Sequence, residues 1–173
     1  MIQNLTSSIA DVVQQTVLMM LGVDADVKEP GDTPKRATHF QVSGIVGVTG
    51  SIKGNIVINL PIDVARVMTG LINREELGQC TERDVTDCVG ELTNIVAGNL
   101  MALAADVGHA NDTRISIPSV VIGAHRVAWR QRDDASRRVE FCTKLGQFSA
   151  EVNLRKAVGQ VVGERDAQDF SRR

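Results

Sequence analysis

Aromatic residues are scarce in this sequence of 173 residues, which has one Trp, four Phe and no Tyr. A protein that binds single-stranded nucleic acid uses aromatic side chains on which the bases stack. A basic excess is also missing, because 19 Lys and Arg residues stand against 21 Asp and Glu residues and the net charge is −2. Since nucleic-acid-binding domains usually carry a clear positive charge, the composition predicts a protein that binds no nucleic acid.

Cysteine pairs, a basic leader and long apolar runs are missing as well. The three cysteines, Cys80, Cys88 and Cys142, are odd in number and form no C-x-x-C pair, which argues against a disulfide framework or a thiolate metal site. The longest apolar run, residues 16–23, is far shorter than the roughly 20 residues of a membrane-spanning helix. The N-terminus lacks the basic residues of a secretory signal. We therefore expect a cytoplasmic protein with no membrane segment and no metal site of its own.

The composition that is present is typical of a globular protein, with 43% hydrophobic and 23% charged residues. This proportion and the chain length suit one domain with a single hydrophobic core. Residues 156–173 are polar and contain glycine, so they are predicted to form a C-terminal tail that follows a domain at residues 1–155.

Hydrophobic periodicity and turn residues predict the order of helices and strands. Gly22 is a candidate C-cap, Pro61 a candidate first helical residue and Thr81 a candidate N-cap with Asp84 three residues later. The predicted helices lie at 3–21, 62–72 and 81–107, and the predicted strands at 40–49, 55–60, 114–122, 124–130 and 138–154, the last broken at Gly146. The pattern predicts an α/β fold of the α+β type: a mainly antiparallel sheet of about six strands with three main helices packed on one face.

The helix predicted at residues 81–107 has two chemically different faces. At about 100° per residue, Asp87, Glu91, Asn94 and Gly98 fall within an arc of roughly 60°. Glu91 and Asn94 are three residues apart, so their side chains leave the helix about 5–6 Å from each other. The opposite, apolar face is predicted to be buried and contains Val85, Cys88, Val89, Leu92, Val96, Leu100 and Leu103.

Poor helix formers lie on and beside the polar face. Gly90, Asn94 and Gly98 have low helix propensity, and Ala residues at these three positions would stabilise the helix by on the order of 2 kcal/mol. A solvated helix face is the ordinary explanation of a polar stripe. A surface shaped for a partner is the alternative, because glycine lets another backbone approach closely. The residues by themselves leave both explanations open.

The spacing Asp87-x-x-x-Glu91-x-x-Asn94, continued by Gly98 and followed by Pro118, resembles the signature of the CheC, CheX and FliY phosphatases of bacterial chemotaxis. The single Glu-x-x-Asn copy makes the chain most similar to the CheX branch of that family. One residue more separates Asn94 from Pro118 than in the usual family pattern. The strands predicted at 40–49 and 55–60 flank a glycine turn and are predicted to form a β-hairpin. This hairpin, the end of the first helix and the strand after Gly146 also look CheX-like, so the resemblance spans roughly residues 1–155.

The resemblance implies a phosphatase that hydrolyses the aspartyl-phosphate of a CheY-like receiver. Asn94 would hold the attacking water and Glu91 would pair with the receiver's lysine, while Asp87, Gly90 and Gly98 would belong to the partner-binding surface. Mg²⁺ would be bound by the receiver, and no cofactor by this chain. CheX-like proteins are homodimers whose strands pair across the interface, which implies this role for strands between residues 114 and 154.

Two other functions remain open at this point. A non-catalytic adaptor of the same fold would bind the receiver without hydrolysing its phosphate. A domain that binds a small molecule would have a closed apolar pocket away from the helix at 81–107. Replacing Asn94 separates the phosphatase from the adaptor, because only the phosphatase needs this amide for the reaction.

Overall fold

The computed structural model describes residues 8–28, 40–74, 79–106, 112–123 and 136–157. The strand predicted at 124–130, residues 3–7 of the predicted N-terminal helix and nearly all of the predicted tail lie outside these ranges. The helices are α1 (Ile9–Leu21), α2 (Ile62–Asn73) and α3 (Glu82–Asp106). The strands are β1 (Asp26–Val27), β2 (Val42–Thr49), β3 (Ile52–Leu60), β4 (Arg114–Ile115), β5 (Ser119–Ile122), β6 (Ser136–Thr143) and β7 (Gly146–Lys156).

The seven strands form one antiparallel sheet in the order β1-β6-β7-β3-β2-β4, with β5 also paired to β2. The predicted hairpin is formed by β2 and β3, in a register that places Val42 opposite Leu60 and Val48 opposite Gly54. β1 and β4 are only two residues long, so the sheet has five longer strands. The predicted fold class is confirmed. The strand predicted at 114–122 is two short strands, because Pro118 cannot donate to the ladder and interrupts it.

The three helices cover one face of the sheet. Gly44 of β2 and Gly146 of β7 lie on the same face, as the strand register shows. A Cβ atom at Gly146 would overlap Val64 of α2, and a Cβ at Gly44 would overlap the Thr93 hydroxyl of α3. α1 packs beside α3, where the Asn99 Nδ2 donates to Thr16 Oγ1 at 3.4 Å. The largest buried side chains of the sheet, such as Phe141, Phe148 and Ile58, lie between this helical layer and the sheet, whereas Val57 is buried on the opposite face.

The caps predicted from the sequence form at two helix ends. At the end of α1, Gly22 adopts φ +63° and its N–H donates to the Leu18 carbonyl at 2.9 Å. At the start of α3, the Thr81 N–H donates to Asp84 Oδ2 at 2.8 Å and the Asp84 N–H donates to Thr81 Oγ1 at 3.3 Å, which is a capping box. The hydrogen bonds from Thr81 lower the pKa of Asp84. Pro61 is the N-cap of α2, one residue before the predicted position.

α3 is long and apolar enough to cross a membrane by length and composition, but 56% of the apolar stretch is buried inside the protein. A core helix of a globular domain passes the same test, so this finding is weak evidence for a membrane span. The predicted apolar face is buried at Val85, Val89 and Val96. The prediction for Leu103 is wrong, because its side chain is 42% exposed and Ala104 is buried in its place.

Replacing Gly44 by Ala is expected to lower the free energy of unfolding by about 1–3 kcal/mol, because the added methyl group overpacks the contact between β2 and α3. Denaturant unfolding followed by circular dichroism measures the change. Thr93→Ala removes the hydroxyl that would be overlapped, so the double variant should lose less than the sum of the two single losses. Gly98→Ala is the matched control, since open space surrounds that position. A Gly44→Ala protein as stable as the parent would contradict this packing.

Candidate functional site on helix α3

The polar face of α3 points away from the sheet, because the intervening residues Val89, Leu92 and Thr93 are buried against it. We call the residues Asp87, Glu91, Asn94 and Gly98 the α3 stripe. Asp87 and Glu91 are exposed, whereas Asn94 and Gly98 are half-buried. The structure therefore brings these four predicted site residues together on one accessible surface.

The carboxylate of Glu91 and the amide of Asn94 are not engaged by hydrogen bonds or ion pairs with other residues in the described ranges. Other polar side chains of the same helix are engaged. Thr93 Oγ1 donates to the Val89 carbonyl at 2.7 Å, and Asn99 bonds to Thr16 of α1. The two predicted catalytic side chains are thus left available for a group outside this part of the chain.

Asp87 lies one turn before Glu91 at the edge of the stripe. Its Oδ2 is 3.9 Å from Arg83 Nε, and the two side chains are 73% and 89% exposed. An ion pair that is so exposed contributes little to stability and is readily exchanged. The Asp87 carboxylate is therefore accessible to a partner that approaches the stripe.

The two predicted partner-binding glycines have different surroundings. Gly90 is buried, and a Cβ at this position would lie 3.6 Å from Val120 Cγ2 and 3.8 Å from Pro118 Cγ. The segment that packs on Gly90 therefore belongs to the same chain, namely Pro118 and, in β5, Val120. At Gly98 a Cβ would have no heavy atom within 4 Å, so this glycine leaves the stripe open to another molecule.

Pro118 borders the α3 stripe from the sheet side. At about 100° per residue, Asn94 points only about 40° away from Gly90, the residue on which Pro118 packs. The segment before Pro118 is held to β2, because the Ser116 N–H donates to the Gly47 carbonyl at 2.8 Å and Ser116 Oγ accepts from the Gly47 N–H at 2.9 Å. Pro118 is part of the motif in the sequence, whereas Ser116 and Gly47 carry no local signal, because their contact depends on the pairing of distant segments.

Cys88 is half-buried beside the stripe and is not suited to act as a nucleophile. Burial raises the pKa of the Cys88 thiol, which outweighs the opposing effect of a hydrogen bond with Thr69. A thiol with a raised pKa stays protonated at neutral pH and is a weak nucleophile. The chemistry available on the stripe is therefore that of a carboxylate, which binds a cation, and a carboxamide, which can donate to and accept from a water molecule.

Comparison with known proteins identifies the family. A family model described as chemotaxis phosphatase CheX matches residues 42–141, which run from β2 into β6 and include the whole α3 stripe. A relative from Thermotoga maritima, named CheY-P phosphatase CheX, is 26% identical over 112 residues, which make up 64% of this chain and 70% of the relative.

Solved structures share the fold. The chemotaxis protein CheX from Desulfovibrio desulfuricans has a TM-score of 0.73 at 21% identity, over 89% of this chain and 99% of that one. A CheX-CheY-BeF₃-Mg²⁺ complex from Borrelia burgdorferi has a TM-score of 0.68 at 23% identity, over 87% of this chain and 97% of the matched one. Since the family model covers more than half of the residues, the chain belongs to the CheX family of chemotaxis phosphatases.

Proposed function

We propose that this protein hydrolyses the aspartyl-phosphate of a CheY-like response regulator and so ends a chemotaxis or related two-component signal. The observation that carries the proposal is the pair of unengaged side chains, Glu91 and Asn94, one turn apart on an accessible helix face. The Thermotoga maritima relative is named as a CheY-P phosphatase, and the Borrelia burgdorferi structure is a complex with CheY. Both names agree with a receiver as the substrate.

Asn94 is proposed to position the attacking water. Hydrolysis of an acyl phosphate requires a water in line with the bond between phosphorus and the aspartyl oxygen, together with stabilisation of charge on the other phosphoryl oxygens. The water oxygen bonds to phosphorus, the bond to the aspartyl oxygen breaks, and the products are inorganic phosphate and a free carboxylate. The Asn94 amide can fix the water because it offers a donor and an acceptor from one rigid plane.

Glu91 is proposed to set how deeply the helix enters the receiver's site. Its carboxylate would pair with the receiver's lysine, while the receiver's own Mg²⁺ stabilises the phosphoryl charge. The ion pair between Glu91 and this lysine would fix the orientation of the Asn94 amide one turn away. Correct orientation of the reacting groups contributes much of the rate of such reactions. No cofactor or metal bound by this chain takes part in the proposed mechanism.

Asp87 and Gly98 are proposed to complete the receiver-binding surface at the two ends of the stripe. Gly98 allows close approach because open space surrounds it. Gly90 contributes indirectly, since it admits Pro118 and so shapes the border of the surface.

We further propose that the protein works in the cytoplasm as a homodimer, with strands between residues 114 and 154 pairing across the interface. Within the described ranges, β5 pairs with β2 alone, so the other edge of β5 can accept another strand.

A phosphate-loss assay tests the proposed function. Each CheY-type receiver encoded in the same genome is phosphorylated with acetyl phosphate, separated from the donor and mixed with the purified protein. The proposal predicts that the first-order loss of phosphate accelerates with at least one receiver and saturates with protein concentration. A protein that binds phosphorylated receivers without accelerating phosphate loss from any of them is the adaptor instead, and the proposal then fails.

A further inference from the structure

Ile117 is the most exposed of the large hydrophobic side chains in the described ranges, at 88% of its surface. It does not lie in a loosely held loop. Ser116 before it forms two hydrogen bonds to Gly47 of β2, and Pro118 after it packs on Gly90 of α3. Ser116 Oγ also donates to the Ile117 carbonyl at 2.9 Å. The backbone on both sides fixes where this apolar side chain is presented.

Ile117 lies beside the α3 stripe. Pro118 is in contact distance of the Gly90 position, and neighbouring Cα atoms are about 3.8 Å apart, so the Ile117 backbone is within about 10 Å of α3 at that residue. A specific protein interface covers about 800 Å² on each partner, which corresponds to a disc of about 16 Å radius. A receiver centred on Glu91 and Asn94 therefore reaches the Ile117 position.

We propose that Ile117 is a receiver-docking residue, which contacts an apolar part of the receiver surface beside the phosphorylated aspartate. This inference rests on the proposed function, since it takes the receiver as the partner that covers the stripe. An exposed isoleucine gains free energy when a partner removes it from water. Because the backbone on both sides of Ile117 is already fixed, less conformational entropy is lost on binding than for a residue in a loose loop, so more of the gain is realised in affinity. Ile117 adds affinity, while Asn94 and Glu91 act on the reaction.

Replacing Ile117 by Ser tests this role. Affinity is measured for a CheY-type receiver charged with beryllofluoride and Mg²⁺, and KM and kcat are measured with the phosphorylated receiver. We expect Kd and KM to rise about tenfold, as the loss of one buried isoleucine implies, with kcat unchanged. Ile117→Leu should restore most of the affinity because it restores the apolar surface.

Val27→Ser is the matched control, because Val27 is a 42% exposed aliphatic residue on β1. β1 lies at the other edge of the sheet, five strand spacings of about 4.8 Å from the edge formed by β4 and β5. This variant should leave Kd and KM unchanged, and sedimentation measures the oligomeric state of all variants.

Three results would overturn the inference: unchanged Kd and KM in Ile117→Ser, a fall confined to kcat, or an altered oligomeric state with unchanged affinity, which would assign Ile117 to contact with a second copy. The failure of the proposed function looks different. In that case the parent protein does not accelerate phosphate loss, while the comparison of Kd values still decides the role of Ile117. A parent protein that binds no charged receiver would overturn both proposals.

Discussion

Replacing Asn94 by Ala is expected to lower the saturated rate of phosphate loss from the receiver by about 10²–10³-fold. The proposed role of the amide is to hold one water in line with the breaking bond, and removal of one such positioned group commonly costs a factor of this size. Affinity for the beryllofluoride-charged receiver should change little, because Glu91, Gly98 and Ile117 remain. A large loss in kcat with an almost unchanged Kd is therefore the expected signature.

The Asn94→Ala protein should fold normally, so the loss of rate can be assigned to the amide. Asn94 is half-buried and its side chain is not bonded to other described residues, and Ala is the better helix former by about 0.5 kcal/mol. Asn99→Ala is the matched control, since Asn99 is on the same helix about 140° around from Asn94 and bonds to Thr16. Equal rates for Asn94→Ala and the parent protein would exclude the proposed mechanism.

Replacing Gly98 by Arg is expected to lower kcat/KM by about 100-fold. A Cβ atom at Gly98 would have no heavy atom within 4 Å, so the new side chain leaves the helix into open space and stands between the stripe and a docked receiver. A displacement of about 1 Å at the reacting groups can cost 10²-fold in rate, and an arginine held between the surfaces imposes at least that much. Phosphate-loss kinetics at several protein concentrations measure the effect.

Stability separates this steric effect from unfolding. Arg and Ala are both better helix formers than Gly, so the Gly98→Arg and Gly98→Ala variants should unfold at equal or higher denaturant concentration than the parent. Gly98→Ala adds one methyl group and should keep kcat/KM within a few-fold of the parent value. If Gly98→Arg hydrolyses the phosphorylated receiver as fast as Gly98→Ala, the receiver does not cover this end of the stripe.

Local features of the fold could be predicted from the sequence because they depend on residues close together in the chain. The αL conformation of Gly22 and the capping box at Thr81 follow from a few neighbouring residues. The same holds for the grouping of Glu91 and Asn94 on one side of α3, which requires only helical geometry. The family resemblance then supplied the chemistry that an isolated polar stripe could not.

Features set by contacts between distant segments could not be predicted in this way. Gly90 is buried because β5, about 30 residues later in the chain, packs on it. Leu103 is exposed because the buried side of α3 contains Leu100 and Ala104 instead. Asn59 is another example, on the face of the sheet away from the helices. It is only 3% exposed there and bonds to Ser43 at 2.6 Å, although an asparagine in a strand usually indicates an exposed face.

A structure of the complex with a receiver shows directly whether the α3 stripe enters the receiver's phosphorylation site. The measurement is a crystal structure of this protein with its cognate CheY-type receiver, charged with beryllofluoride and Mg²⁺. We expect the Asn94 amide within about 3 Å of a water in line with the beryllium–aspartate bond, and the Glu91 carboxylate beside the receiver's lysine. A receiver bound to another face, with Glu91 and Asn94 left in solvent, would exclude the proposed mechanism.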